Sequence, residues 1–407
     1  MFRESIVGLT AALLAATAVA KGDPVLEWNE IMVSKIAEMP PTLHTRLGAM
    51  MHLAIHEAVS AVDGGHQQSS IRAAAVAAAH GVLRPAFPDD VAELDAMRDR
   101  SLARIPYGTG KMRGIAAGKA AAASIIARRA NDGSEAEEFH LPVSANPGEW
   151  QLTAGCPPQG GVFPHWSKVT PFTLRSADQF RSVPPPALTS HRYARDFEEV
   201  KQSGGRDSTT RPPDRTEVAR MYDIVGDGIL WNPIARQLAG AAHRSLAENA
   251  RTFALLNVAL ADAAIAVLET KYHYDTWRPE TAVPAAATDG NDRTAPDAAF
   301  VPLISTPCFP GYPSGHAALS YAAREVLEHD FGPRGHALVV THPQLPQIRL
   351  EYSTLEEMTS DIDDARVYGG IHFRFDQTAG AEQGRRVGAY VLRKFLQQGH
   401  ECKHTRD

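Results

Sequence analysis

The chain has 407 residues, of which 44% are hydrophobic and 22% are charged, and its formal net charge is -6. These values are typical of a globular protein with room for one large domain or two modest ones. The small negative charge, without a long block of like charges, argues against nucleic acid as a partner. After the N-terminal residues, no stretch approaches the ~18 uninterrupted apolar residues of a membrane span, so no integral membrane association is predicted.

The N-terminus has the pattern of a secretory signal. Arg3 precedes an apolar run over residues 6–20, which closes on the small-x-small triplet Ala-Val-Ala. A charged start, an apolar middle and a small-residue end are typical of a signal peptide. We therefore predict a signal peptide of residues 1–20, cleavage before Lys21, and a secreted or periplasmic protein. A buried first helix is the alternative interpretation.

The cysteine count agrees with export. Cys156, Cys308 and Cys402 are the three cysteines of the chain, and none of them lies in a CxxC pair. Three cysteines allow at most one intramolecular disulfide, which fits an oxidising compartment. The sequence leaves the pairing open.

The mature chain is predicted to be mostly helical, and the fold class is all-α. Apolar residues recur at helical spacing, and Ala-rich runs are long, over residues 43–62, 71–83, 112–129, 231–270 (two helices), 314–330 and 378–398. Residues 139–188 are rich in Pro, Gly and aromatic residues, which indicates a long irregular connection. We expect residues 21–407 to form a single helical domain, with a division at that connection as the alternative.

The stretch KYHYDTWRPE carries two cations. Lys271 and Arg278 are seven residues apart, so a helix there places both on one face. Pro279 marks where that helix is expected to bend or end. Two cations on one face favour an anion as their partner. A solvated basic face is the alternative.

The stretch ARVYGGIHFRFDQTAG combines a cation, a histidine and a carboxylate. Arg366 precedes a Gly-Gly turn, and His372 and Asp376 follow it. If the chain is helical from Ile371 onward, His372 and Asp376 share one face. The carboxylate can then take the Nδ1 proton and leave Nε2 free to bind or attack. A core histidine with satisfied hydrogen bonds is the alternative.

The stretch FPGYPSGHAALS opens a helix. The first N–H groups of a helix have no internal partner and bind anions. Gly315 lets a ligand approach the backbone. A nucleophilic serine is expected in a GxSxG turn, which Ser314 lacks, so we predict that Ser314 donates its hydroxyl to an oxyanion. His316 is close enough to that oxyanion to donate a proton to it or accept one from it. The three stretches together predict a pocket for a small, highly charged tetrahedral oxyanion.

The ordered motifs K-x6-R-P, P-S-G-H and R-x5-H-x3-D resemble those of the type 2 phosphatidic acid phosphatase and vanadium haloperoxidase superfamily. They lie within residues 271–376, and Ala365 stands where the family often has Ser. The longer stretches KYHYDTWRP and YGGIHFRFD are similar to those of the soluble exported haloperoxidases rather than the membrane lipid phosphatases. The resemblance implies a helical-bundle fold, which agrees with the predicted helices.

The resemblance also implies a role for each site residue. The non-bridging oxygens of the anion would be held by Lys271, Arg278, Ser314, Gly315 and Arg366. His372 would be the covalent ligand of vanadium, or the nucleophile in a phosphatase. His316 would be the general acid or base, and Asp376 would orient His372.

The function that the resemblance implies is a secreted vanadium-dependent haloperoxidase with vanadate as its cofactor. Hydrogen peroxide, halide and small organic molecules would be its partners, and a homo-oligomer is compatible with it. An exported acid phosphatase with a phosphohistidine intermediate is the first alternative, with phosphate or no cofactor. A non-catalytic oxyanion-binding protein is the second alternative. It is disfavoured because binding alone does not need His316 or the His372–Asp376 pair.

Two positions bear on halide choice through the same resemblance. Phe309 stands where the family's chloroperoxidases have Phe and its bromoperoxidases have His. Leu268 stands where the fungal chloroperoxidases have Trp. We therefore predict bromide oxidation with some chloride oxidation.

Overall fold

The computed structural model describes residues 22–37, 39–63 and 68–404. The predicted signal peptide, residues 1–20, lies outside the described residues. Within them the chain forms thirteen α-helices: α1 Pro24–Ile36, α2 Pro41–Asp63, α3 Gln68–Ala86, α4 Val91–Ala103, α5 Thr109–Arg129, α6 His191–Ser203, α7 Pro213–Ile224, α8 Asp227–Ala242, α9 Leu246–Tyr274, α10 Pro279–Ala282, α11 Gly315–Phe331, α12 Leu355–Tyr368 and α13 Arg374–His404. The prediction of an all-α fold is confirmed.

Two small antiparallel sheets accompany the helices in the described part. The first pairs β1 Phe139–His140 with β2 Gly161–Val162. The second pairs β3 Arg334–Thr341 with β4 Arg349–Thr354, and this hairpin packs beside α8. The hairpin was not predicted, because its strands carry charged and exposed residues in place of a clean apolar alternation.

Helix α9 forms the centre of the core. A capping box between Ser245 and Glu248 satisfies the first backbone donors of this helix. Nearly every following residue is buried against neighbours from α2, α11 and α13. By length and composition α9 could span a membrane, but its most apolar stretch is entirely buried inside the protein. Such burial is typical of the core helix of a globular domain.

Helices α11 and α13 approach each other closely because α13 carries glycines on its contact face. A Cβ atom at Gly384 would lie 2.2 Å from the carbonyl oxygen of Ala318, and one at Gly380 would lie 2.4 Å from that of Ser314. No larger residue fits at these distances without moving a helix. At the end of this contact the Ser314 N–H donates to the Asp376 carbonyl oxygen over 3.0 Å. Two of the predicted motifs are thereby held together by backbone packing.

Two predicted helix boundaries are wrong near the motifs. Helix α9 ends at Tyr274 with Asp275 in the left-handed region, so Arg278 lies outside the helix that carries Lys271. Pro279 starts the next short helix, as proline at a first helical position often does. Helix α13 begins at Arg374 rather than at 371, so His372 precedes it. The motif residues therefore converge through turns and not along one helix face.

The irregular connection, residues 139–188, is confirmed, and we call it the strap. Apart from β1 and β2 it contains only two short 3-10 helices. A disulfide joins Cys156 of the strap to Cys308, which precedes the motif at Pro313. The N–H of Val162 donates to the Cys308 carbonyl oxygen over 2.9 Å. The strap is therefore fixed to the loop that leads into α11.

Candidate active site

A cavity of about 270 Å³ lies where α9, the start of α11 and the segment before α13 meet. Six of the eight predicted site residues line it, and a seventh, Asp376, hydrogen-bonds to His372, which does. The lining includes Lys271, Arg278, Gly315, His316, Arg366 and His372, and on the apolar side Phe163, Val267, Leu268, Phe309 and Leu319. The three motifs are thus brought to one small cavity with a cationic side and an apolar side.

Lys271 enters the cavity from the last turn of α9. Its ammonium group donates to the carbonyl oxygens of Pro310 and Gly311 over 3.0 and 2.7 Å. The side chain is fully buried, and burial lowers the pKa of Lys271 well below its usual value. The positive charge of Arg278 lowers this pKa further. A bound anion would stabilise the ammonium form against both effects.

Arg278 is also fully buried and is held by backbone carbonyl groups. Its Nε donates to Phe309, and its Nη1 donates to Ile371, each over 3.0 Å. Burial lowers the pKa of this guanidinium to about 9, although Asp376 opposes the shift. Within the described part of the chain, the buried Nη2 atom has no hydrogen-bond partner. A buried donor without an acceptor is costly, and an anion oxygen would relieve that cost.

The contacts of His372 fix its tautomer. Arginine can only donate hydrogen bonds, and Arg278 Nη1 lies 2.9 Å from His372 Nε2, so Nε2 accepts. The proton is therefore on Nδ1, which donates to Asp376 Oδ2 over 2.8 Å. The predicted His372–Asp376 pairing is present, although it does not arise from a helix face. It leaves the Nε2 lone pair directed toward the cationic side of the cavity.

Asp376 is a buried carboxylate whose position is set by the start of α13. Its Oδ2 also accepts from the Phe373 N–H over 3.1 Å. Burial raises the pKa of Asp376 to about 7, whereas Lys271 opposes that change. Burial and the three neighbouring cations lower the pKa of His372 well below its usual value. His372 is consequently neutral at neutral pH, as a ligand or nucleophile must be.

His316 and Arg366 meet at the end of α7. Arg366 Nη1 donates to the Tyr222 carbonyl oxygen over 2.8 Å, and His316 also hydrogen-bonds to the Tyr222 backbone. The phenol of Tyr222 is in turn 2.9 Å from that of Tyr352 on β4. Burial and the positive charge of Arg366 lower the pKa of His316 well below its usual value. Like His372, it is neutral at neutral pH.

Ser314 and Gly315 form the start of α11. The Ser314 hydroxyl accepts from the Ala317 N–H over 3.3 Å and so caps the helix. Ser314 is fully buried and is not among the residues that line the cavity, whereas Gly315 is. A Cβ atom at Gly315 would lie 3.9 Å from Lys271 Cε, so the glycine lies directly against the cationic side. The oxyanion roles of both residues stay predictions.

Phe163 of the strap is a site residue that the sequence did not reveal. It has φ +67°, which is unusual for a bulky residue, and it lines the cavity together with residues of α9. Its neighbour Val162 accepts a hydrogen bond from the Tyr272 phenol and donates to Cys308. No apolar pattern in the sequence signals this left-handed conformation. Strained residues of this kind cluster at functional sites.

The cations allow a direct prediction. Replacing Lys271 or Arg278 by Met should weaken the binding of orthovanadate to the protein by about 10- to 100-fold, because a buried charged hydrogen bond contributes ~1.5–3 kcal/mol. Isothermal titration calorimetry measures this affinity. Lys168→Met removes an exposed lysine of the strap and is the matched control. Unchanged affinity in both site variants would place the anion elsewhere.

Part of the chain is similar in sequence to known proteins. Residues 251–400, which contain all three motifs, match the family model described as the VCPO second helical-bundle domain. The vanadium chloroperoxidase of Curvularia inaequalis is 24% identical over 209 residues, which are 42% of this chain and 33% of that protein. The part of the chain that carries the three motifs is therefore similar to the second helical-bundle domain of that family. The alignment spans about a third of the length of this curated relative.

Solved structures extend the likeness of fold to most of the chain. A bacterial vanadium-dependent iodoperoxidase has a TM-score of 0.73 and 24% identity, with 91% of this chain and 94% of that chain covered. The holo form of a bacterial vanadium-dependent chloroperoxidase has a TM-score of 0.71 and 18% identity, with 89% and 94% covered. At these identities the similarity shows that the chain shares their fold.

Proposed function

We propose that this protein is a vanadium-dependent haloperoxidase, which oxidises halide with hydrogen peroxide at a histidine-bound vanadate. The observation that carries the proposal is the fixed tautomer of His372. Its Nε2 lone pair faces a cavity on which Lys271, Arg278 and Arg366 converge. An unprotonated imidazole nitrogen is a good ligand for a metal centre, and three cations suit a ligand of high negative charge.

The chemistry of the donors fits vanadate. The buried Nη2 atom of Arg278 lacks a partner among the described residues and is a ready donor to an oxyanion oxygen. The cavity of about 270 Å³ suits a small tetrahedral anion with a second small molecule beside it. In this proposal His372 Nε2 holds the metal, and the oxygens are held by Lys271, Arg278, Arg366, Ser314 and Gly315.

Each side chain has a separate task in the proposed reaction. When bound, vanadate supplies a Lewis acid that activates hydrogen peroxide toward halide. Asp376 keeps the Nδ1 proton of His372 in place and so keeps Nε2 unprotonated. His316 is neutral because its pKa is lowered, and it accepts a proton from incoming hydrogen peroxide. The apolar residues on the opposite side limit the access of water.

Export is part of the proposal. The Cys156–Cys308 disulfide supports it, because structural disulfides persist in oxidising compartments. Together with the apolar N-terminal run, this favours cleavage of residues 1–20 and a secreted or periplasmic mature chain. We propose one domain for residues 21–407, since a single cluster of buried side chains extends from Val25 to Leu392.

An exported acid phosphatase is the competing function, because the Nε2 lone pair of His372 could attack a phosphoryl group in the same cavity. Parallel assays of metal-free protein separate the two. With orthovanadate added, we expect oxidation of bromide by hydrogen peroxide and little hydrolysis of 4-nitrophenyl phosphate at any stage. Robust hydrolysis that vanadate inhibits, without halide oxidation, would establish the phosphatase instead.

Halide choice is a further expected result. Phe309 packs over the ammonium of Lys271 and the guanidinium of Arg278, at 5.2 and 5.1 Å from its ring centre. This apolar ring excludes water from the cations, which favours oxidation of the less reactive halides. Leu268, which also lines the cavity, is smaller than the Trp that the fungal chloroperoxidases have at this position. We expect clear bromide turnover and weaker chloride turnover in steady-state assays at matched peroxide, and turnover of iodide alone would contradict the expectation.

A further inference from the structure

A second cavity lies beside the first, between α8 and the β3–β4 hairpin. It has a volume of about 560 Å³, within the range of small-molecule binding sites. Its walls are largely apolar and include Ile224, Ile229, Ile234, Val340 and Pro343. No residue of the three motifs lines it, so the oxyanion chemistry does not account for it.

The hairpin wall of this cavity is fixed in place. The side-chain amide of Gln237 on α8 donates to the Val339 carbonyl oxygen and accepts from the Val339 N–H, each over 2.9 Å. At the other strand, Tyr352 bonds to Tyr222 of α7. The cavity is therefore preformed, which lowers the entropic cost of binding a ligand there.

Arg236 is the charged group of the second cavity. It lies on α8, and one of its nitrogens donates to the buried side chain of Asn29 over 2.5 Å. No carboxylate of the described residues lies within ion-pair distance of it; burial lowers its pKa to about 10, and the negative charge of Glu30 opposes that change. A half-buried guanidinium with donors left over, beside apolar walls, suits a ligand with an apolar body and a carboxylate.

The two cavities share Gly226, which lines both. A Cβ atom built at Gly226 meets no atom within 4 Å, so there is open space beside this residue. Its backbone, at φ -69° and ψ 149°, is accessible to any amino acid. Glycine is therefore not needed here for the backbone conformation, but it leaves a gap where the cavities adjoin.

We propose that the second cavity binds the organic substrate, a small molecule with an apolar, electron-rich body and a carboxylate that pairs with Arg236. The halogenation step rests on the proposed haloperoxidase function, whereas the binding site does not. Hypohalous acid formed in the first cavity reaches the substrate past Gly226. A ring carbon forms a bond to the halogen, the halogen–oxygen bond breaks, and the lost ring proton and the hydroxide leave as water.

Binding is tested without any vanadium. Isothermal titration calorimetry compares 3-(4-hydroxyphenyl)propanoate with its neutral amide on the wild type and two variants. Arg236→Gln should weaken binding of the carboxylate by about 10-fold or more and that of the amide by less than about 2-fold, whereas Arg236→Lys should retain most of the affinity. Equal binding of the two probes by the wild type, or no effect of Arg236→Gln, would overturn the site.

A fold-neutral variant guards against misfolding of the arginine variants. Gln344 is an exposed residue of the hairpin turn that lines the cavity. Gln344→Glu keeps the shape and adds a negative charge, so it should weaken carboxylate binding by about 2- to 5-fold and leave amide binding unchanged. If it leaves the affinity for the carboxylate unchanged as well, the ligand does not bind between α8 and the hairpin.

The transfer of hypohalous acid past Gly226 is tested with the vanadate-loaded protein. The quantity measured is the fraction of the oxidised bromide that is recovered in the brominated probe. Gly226→Leu should lower this fraction to the value obtained with free hypobromite, while Gly240→Leu near the other end of α8, also in open space, should not change it. An unchanged fraction in Gly226→Leu would refute transfer between the cavities. Absence of halide oxidation in the wild type would refute the halogenation step and the proposed function, and the calorimetry would still decide the binding site.

Discussion

Replacement of His372 by Ala is expected to abolish vanadate binding and any activity that depends on it. The imidazole Nε2 is the proposed metal ligand, and its lone pair is held toward the cavity by the Nδ1 bond to Asp376. Removing the ring deletes the proposed anchor and leaves the Phe373 N–H as the hydrogen-bond donor to the buried Asp376. We expect no saturable vanadate binding by calorimetry up to at least about 100 times the wild-type Kd, which corresponds to a loss of ~2.7 kcal/mol or more.

The matched control for this variant is His273→Ala. His273 is an exposed residue in the last turn of α9, near the cavity but not lining it. It should bind vanadate like the wild type. Far-ultraviolet circular dichroism should show the same helical content in both variants. Retention of full activity and vanadate affinity by a folded His372→Ala protein would end the assignment.

Replacement of His316 by Ala is expected to separate turnover from binding. His316 lines the cavity, and its lowered pKa keeps it neutral and ready to accept a proton. Loss of a general base lowers turnover by about 10²- to 10⁴-fold. Vanadate affinity should change by less than about 10-fold, since the proposed role is proton transfer and not coordination.

The pH dependence gives this prediction a second measurement. Because the pKa of His316 lies well below its usual value, protonation of the base should not reduce wild-type turnover between about pH 6 and 7, where an unperturbed histidine titrates. The part of the acid limb that comes from protonation of His316 should therefore fall below this range and be absent in His316→Ala. If vanadate binding disappears in His316→Ala as completely as in His372→Ala, the two roles have been exchanged.

The motif residues could be predicted to meet, but not by the route the sequence suggested. Lys271 and Arg278 converge because α9 ends at Tyr274 and the chain turns through Asp275, whose left-handed backbone no periodicity signals. His372 reaches Asp376 from outside α13, through a backbone turn. A helix and a tight turn bring residues at these spacings equally close together. The sequence therefore predicted the correct residue pairs from incorrect secondary structure.

The apolar side of the site could not be predicted. Phe163 is about a hundred residues from the motifs and reaches the cavity because the disulfide and the Val162 hydrogen bonds fix the strap. Long-range contacts of an irregular segment leave no periodic signal. The second cavity was missed for a similar reason, since it depends on the unpredicted β3–β4 hairpin and on Gln237, which binds that hairpin to α8.

The central claim, that His372 holds a catalytic vanadate, is tested most directly by titration. Metal-free protein of known concentration receives orthovanadate in small steps, and bromide oxidation by hydrogen peroxide is measured at each step. We predict no activity at the start, a linear rise to one vanadate per chain, a plateau beyond it, and no rise for His372→Ala. An absence of bromide oxidation at every vanadate level in the wild type, beside phosphate-ester hydrolysis that vanadate inhibits, would contradict the account.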